Sequence, residues 1–237
     1  MAVRRLTPDD AGWAAGQLAG RRARLVPYAP VYWRPARDAD AAHRRFLAYV
    51  LGTGGGIGFR TDDALMIAAP GRGGSWTVDD AVVADGAWAD TGQQLYDALA
   101  QETAGSSIRF VCPAPEPDRS QFARAQGLQL QTSWWQLTVD QIQPSPGDGE
   151  QPRISGATAS LVRAPQIYDP GGPILFVTGV ADAQQALPLA RAEAARLGSP
   201  VIVVDQRPDD QDLVSVLDNA GFYRHCDFFA GTITGHS

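Results

Sequence analysis

The apolar residues of this chain switch between a spacing of two and a spacing of about 3.6, most clearly from Val78 to Val111. Val78, Ala81, Val82 and Val83 make a short strand-like run, Asp85-Gly86-Ala87 breaks it, and the spacing from Thr91 to Leu99 is helical. Ser107 to Val111 returns to strand. A strand that enters a helix through a short glycine-containing loop leaves backbone N–H groups where an anion is favoured. Most strand–loop–helix units bind nothing, so the pattern alone does not make a site.

Before this stretch, Val3 to Leu6 predicts a strand, and Thr7-Pro8-Asp9-Asp10 predicts an N-cap with proline in the first turn. A helix over Asp9 to Arg24 places Trp13, Leu18 and Leu25 toward a core and Arg21, Arg22 and Arg24 toward water. The aromatic segment Tyr28 to Trp33 is either a packed loop or the wall of a cleft. A second helix, Asp38 to Leu51, carries Ala42, Phe46, Leu47, Val50 and Leu51 on one face and His43 on the other. Gly52-Thr53-Gly54-Gly55-Gly56 stops it; the run follows a helix and lacks a lysine, so it is no phosphate loop. Strands at Ile57 to Arg60, Ala64 to Ala69 and Trp76 to Ala84 lead into the central unit.

After it come a proline-rich loop, a short helix capped by Asp118 and ended by Gly127, and a long strand from Leu128 to Val139. Residues 141–153 have a linker composition. The rest repeats the central unit: an ungapped shift of 94 superposes Ile108 on Ile202, Asp118 on Asp212, Gly127 on Gly221, Trp134 on Phe228 and Trp135 on Phe229. Residues 170–233 are therefore expected to be strand, helix, strand, helix, strand. The division predicted is a domain at 1–140, a linker at 141–153 and a half domain at 154–237. That half domain lacks helices for one face of its sheet, so it is expected to pack on the first domain or on the same segment of a second chain, as a homodimer.

Composition narrows the chemistry. All 20 basic residues are Arg, which removes lysine Schiff-base and Walker-type chemistry. The net charge of −6 argues against a general nucleic-acid partner. There is no membrane-length apolar run and no signal-peptide core, so a cytoplasmic location without a membrane partner is expected. Cys112 and Cys226 read as reduced core residues. No metal-ligand or Ser-His-Asp spacing is present; His225 is expected to be buried or at an interface, and His236 lies in the tail.

The element order, with the helix-then-glycine endings Asp118 to Leu128 and Val214 to Phe222, resembles the GNAT superfamily of acyl-CoA-dependent N-acyltransferases. The resemblance implies an α/β fold with a central twisted mixed sheet flanked by helices, followed by a degenerate half-repeat. It implies acetyl-CoA as co-substrate, with no metal, and a small-molecule or peptide amine as acceptor. The family's cofactor motif, (Arg/Gln)-x-x-Gly-x-(Gly/Ala), falls on Ala87 to Gly92, where only Gly92 matches and Asp90 replaces the first glycine. Coenzyme contacts are implied at Val82, Val83, Ala84, Ala87, Trp88, Thr91, Gly92 and Gln93. The corresponding stretch of the repeat has no glycine, and the tyrosine that many members use as an acid is replaced by Ala123 and Leu217. Asp79 and Asp80 should face opposite sides of their strand, with Asp80 favoured as the base that deprotonates the amine. Tyr28, Tyr32 and Trp33 are candidates for the acceptor side. Two functions follow: an N-acetyltransferase, or a catalytically silent member serving as an acyl-CoA sensor or interaction module.

Overall fold

The computed structural model describes residues 2–140 and 151–233. Most of the predicted linker and His236 lie outside the described residues. The chain is a mixed α/β protein with a ten-stranded mixed sheet, and it divides into two compact units, each with its own core.

The first unit holds residues up to Arg24, then Asp38–Gln131, and the chain from Asp227 onward. Its strands are β1 (Arg4–Arg5), β2 (Ile57–Arg60), β3 (Leu65–Pro70), β4 (Trp76–Val82) and β5 (Ser107–Pro113). They lie in that order, with the end of the last strand of the chain, β10 (Tyr223–Thr232), beyond β5. Alternation along β3 sends Leu65 and Ile67 to one face, with Ala14 and Leu18 of α1 (Ala11–Leu25) and Leu47 and Val50 of α2 (Ala39–Leu51). Met66 and Ala68 go to the other, with Leu95, Tyr96 and Leu99 of α3 (Gln93–Thr103) and Phe122 of α4 (Pro117–Ala125).

One irregularity shapes this sheet. Met66 pairs with Ala81 but Ala68 with Val78, so Asp79 and Asp80 together oppose Ile67 in a β-bulge. Val78 and Ala81 consequently share the α3–α4 core although they are three residues apart, and the strict alternation expected for the two aspartates does not hold. The bulge bends β4, and its parallel ladder with β5 runs only from Trp76/Ile108 to Val78/Phe110. Beyond Val78 the two strands part.

The second unit comprises Leu25–Arg37 and Thr132–Cys226. Its strand order is the start of β10, then β6 (Gln129–Thr138), β9 (Val201–Gln206), β8 (Ile174–Thr178) and β7 (Thr158–Val162). The small and polar residues of β7 hid it from the apolar pattern. Helices α5 (Ala183–Arg196) and α6 (Gln211–Asn219) pack on one face through Leu187, Ala190, Leu213 and Leu217. The other face, built from Ile174, Val201 and Val203, is covered by Val31 and Tyr32. The segment 25–37, which the sequence reading placed in the domain 1–140, thus supplies cover for that face.

The repeat holds in register. α4 and α6, and likewise β6 and β10, have the same bounds after a shift of 94. The boundary at 140 does not follow the compact units, because the two equivalent strands change places. Residues Ser133–Thr138 of β6 pair with β9, and the end of β10 serves the first unit. Phe229 and Ile233, at the far end of the sequence, are accordingly buried in the first unit's core. Phe229→Ala is expected to cost about 3–5 kcal/mol, as for other fully buried aromatics. Urea denaturation would check this, and a loss under about 1 kcal/mol would remove Phe229 from that core.

Candidate functional site

The parting of β4 and β5 leaves carbonyl groups of β4 without strand partners, and buried carbonyls need donors. Arg119 on α4 supplies them: its Nη2 donates to the carbonyls of Asp79 at 2.9 Å and Val78 at 3.3 Å, and its Nη1 to that of Ala81 at 3.5 Å. The side chain is fully buried, near the faces of Phe110 and Trp88. Its Nε has no partner among the described residues. Arg21, expected to face water, is instead buried, because it makes a two-pronged bond to Glu116 at 2.7 and 2.9 Å and donates to the Asp79 carbonyl.

Arg119 corresponds to Leu213 in the repeat, where the parallel ladder of β8 with β9 ends at Val177/Val204, the match of Val78/Phe110. There β8 itself stops at Thr178, whereas β4 runs on to Val82. Glu116 corresponds to Asp210, which caps α6 by accepting from the Leu213 N–H at 3.2 Å. Glu116 sits at the α4 N-cap but makes no capping bond, being drawn to Arg21. The expected cap, Asp118, accepts from the Gly86 N–H at 2.8 Å instead.

Asp80, the expected base, is held by a residue that the sequence placed on the polar face of α2. His43 is 3 % exposed, and its Nε2 lies 3.2 Å from Asp80 Oδ2. Arg22, also buried against expectation, lies 2.5 Å from His43 Nδ1 and 2.6 Å from Asp40. A guanidinium only donates, so His43 Nδ1 accepts and Nε2–H is left to donate to Asp80. The signal was present in the buried stripe Ala39, His43, Leu47, Val50. Phe46, expected in the core, is 48 % exposed.

The carboxyls of Asp79 and Asp80 diverge. Burial works to raise Asp80, but the His43 bond and the charges of Arg21 and Arg119 outweigh it and hold Asp80 below the usual carboxylate range. Asp79 is pushed above that range by the protein crowded around it and by the charge of Asp80. Asp79 keeps contact with solvent, which screens the first of these causes, so the coupling to Asp80 is the firmer one.

After β4, Trp88, Thr91 and Gly92 of the implied coenzyme contacts fall in a tight π-type turn, Trp88–Gly92, leading into α3. The N–H groups of Asp90, Thr91 and Gly92 all fold back onto the Ala87 carbonyl at 3.3, 2.9 and 3.1 Å. Between this turn and α4 is a groove of about 430 Å³, lined by Gly86, Trp88, Gln93, Asp118, Phe122 and Gln126 among others. Of the implied contacts, Trp88 and Gln93 line it. Val82 and Val83 are instead buried in the cores on opposite faces of the sheet, and Ala84 is exposed.

Tyr28, Tyr32 and Trp33 belong to the second unit. Tyr32 and Trp33 flank His225 at ring distances of 4.0 and 4.4 Å, and Tyr28 meets Tyr223 edge-on at 5.6 Å. The geometry there is that of a packed loop. His225 is 1 % exposed with its Nδ1 unpartnered, and burial drives its pKa down to about 3. Cys112 and Cys226 are both buried and not joined in a disulfide, and burial pushes the Cys112 thiol up to about 11. Among the described residues no group of three His, Cys, Asp or Glu is placed to hold a metal, and no helix is long and apolar enough to cross a membrane.

The architecture can be compared with known proteins. A protein from Thermoplasma acidophilum provisionally described as an acetyltransferase superposes with a TM-score of 0.53 at 12% identity, covering 98% of this chain and all of its own. A tandem GNAT protein from the clavulanic acid biosynthesis pathway superposes with a TM-score of 0.50 at 14% identity, over the whole of both chains. The fold is that of the GNAT acetyltransferases. No protein-family model matches the sequence, and no curated protein matches it either.

A GNAT fold implies acyl-CoA, and the residues of this loop do not fit the coenzyme's diphosphate. Three N–H groups of the turn are spent on Ala87, and that of Gly86 is spent on a carboxylate. No arginine lines the groove. The one glycine that matches the cofactor motif has another reason to be small: a Cβ on Gly92 would come within 2.9 Å of the Trp88 ring.

Two predictions follow from this geometry. Gly92→Ala is expected to cost about 1–3 kcal/mol, as overpacking does, and to cost far less when Trp88 is already Ala. Additive effects in that double-mutant cycle would separate Gly92 from Trp88. The second concerns acid. An unfolded chain protonates His225 near 6.5 but the native chain only near 3, so between these values the unfolded state binds more protons and stability falls as pH is lowered. The His225 contribution is expected to be about 1.4 kcal/mol per pH unit. It should vanish in His225→Phe; equal acid sensitivity of both proteins in denaturant titrations would contradict it.

Proposed function

We propose that this chain is a catalytically silent GNAT-fold protein, a binding or interaction module in which acyl transfer has been given up. The observation that carries this reading is Arg119, whose buried guanidinium occupies the opening between β4 and β5 and takes the β4 carbonyls at Val78, Asp79 and Ala81. An acyl-CoA lying there would have to displace a charge bonded to three carbonyls and 3.5 Å from Glu116. Such a displacement removes one of the two cations beside Glu116 and the donor to three buried carbonyls, at a cost of several kcal/mol.

A second reading, an acyl-CoA-dependent N-acyltransferase acting on a small amine, is favoured by Asp79. A carboxylate raised above its usual range and open to solvent, on the residue whose carbonyl meets Arg119, is suited to take a proton from an ammonium group. On this reading Asp79 rather than Asp80 is the base, because Asp80 is committed to His43.

Calorimetric titration with acetyl-CoA and CoA, together with thiol release in the presence of simple amines, separates the two. The silent reading expects no saturable heat up to about 1 mM ligand, weaker than roughly −4 kcal/mol, and no thiol release. Micromolar binding with thiol release that Asp79→Asn abolishes would establish the enzyme instead.

A further inference from the structure

The groove beside the π-type turn persists although the N–H groups of Gly86, Asp90, Thr91 and Gly92 are already engaged. Asp97 can only accept, so it fixes the Gln93 amide with Nε2 toward it at 2.7 Å. Gln93 Oε1 is thereby turned to accept from Gln126 Nε2 at 2.6 Å. The Gln126 carbonyl oxygen lies 3.5 Å from its nearest donor, beyond a good hydrogen bond, and keeps accepting capacity. Across the groove, Gly86 N–H engages only Oδ2 of Asp118, orienting the carboxylate while leaving Oδ1 for a further donor. Beside the amide of Gln121, the polar lining therefore presents a fixed carboxylate and an amide oxygen. Its apolar part is aromatic: the rings of Trp88 and Phe122 pack at a centroid distance of 5.2 Å. Acceptors set around aromatic rings attract cations that carry N–H donors. The volume of about 430 Å³ falls in the range of small-molecule sites.

We infer that the groove formed by Gly86, Trp88, Gln93, Asp118, Phe122 and Gln126 binds a small organic cation, an alkyl- or arylammonium or guanidinium compound, in the place where a coenzyme diphosphate would be sought. The inference rests on the reading above to the extent that it takes the groove not to hold a diphosphate. Asp118 pairs with the cationic head, the Gln126 carbonyl accepts a second N–H, and the aromatic rings cover the organic body.

The test is a titration of the full ¹⁵N-labelled chain with agmatine and tyramine as cations, tyrosol as the uncharged counterpart of tyramine, and CoA as the anion. Saturable shifts are expected with at least one cation at the Gly86 amide, the Trp88 indole N–H and the Gln93 and Gln126 side-chain amides. Tyrosol should bind roughly tenfold more weakly than tyramine, and Asp118→Asn should weaken the cations by a similar factor, as loss of a charge-assisted bond does. The Asn oxygen still accepts from Gly86, and the variant's own spectrum reports its fold. Added salt should weaken cation binding to the wild-type chain, an independent measure of the same pairing.

Absence of saturable shifts at these groups up to about 10 mM cation would overturn the inference, as would tyrosol matching tyramine or an unchanged affinity in Asp118→Asn. Those outcomes leave the silent reading intact while CoA remains without effect. Micromolar CoA shifting the same four groups would remove both.

Discussion

A guanidinium buried without water must find acceptors in the protein, and strand carbonyls stripped of their ladder must find donors; in the first unit these two needs meet in Arg119. The rest of the site can be traced from that exchange. The bulge at Asp79–Asp80 bends β4 away from β5 after Val78, α4 brings Arg119 into the opening, and Glu116 leaves its capping role to balance the charges of Arg119 and Arg21. In the repeat, whose first strand stops at Thr178 just past the end of its ladder, Leu213 stands in the place of the arginine and Asp210 caps its helix in the ordinary way.

The same exchange separates fold from function. A parting of parallel strands beside a helix start is an architecture able to take an elongated ligand between the strands and an anion at the helix. Here the chain supplies both occupants itself, a guanidinium in the opening and the Asp118 carboxylate on the loop N–H. What stays open is a groove whose acceptors and aromatic faces suit charge of the opposite sign. Likeness of architecture at 12–14% identity therefore says how the backbone runs and leaves the ligand to the side chains.

Much of the fold was legible because hydrophobic spacing is a local property. The strand, loop, helix and strand order from Trp76 to Pro113, the fully buried β9 and the in-register repeat of α4 with α6 all follow from spacings within a few residues. Gly92 and Asp90 were also legible as departures from a cofactor motif. The reason for Gly92 was not, because Trp88 packs where its Cβ would be, and only the turned backbone reveals this. His43, Arg21 and Arg22 were misplaced because charged and polar residues on a helix are read as solvated unless a partner is known, and their partners lie as far as 95 residues away.

The sequence by itself determined the elements, their repeat, the absence of lysine chemistry and the weakness of the phosphate-loop signature. Tertiary structure decided three things. It assigned β6 and the end of β10 to different units, which local pattern cannot do because the two strands carry the same apolar register. It assigned Leu25–Arg37 to the second unit, where Val31 and Tyr32 cover a sheet face, because an aromatic loop carries no periodicity that names its partner. And it placed Arg119 in the opening beyond Val78, since a bulge and a parting of strands are relations between chains of hydrogen bonds that no single segment encodes.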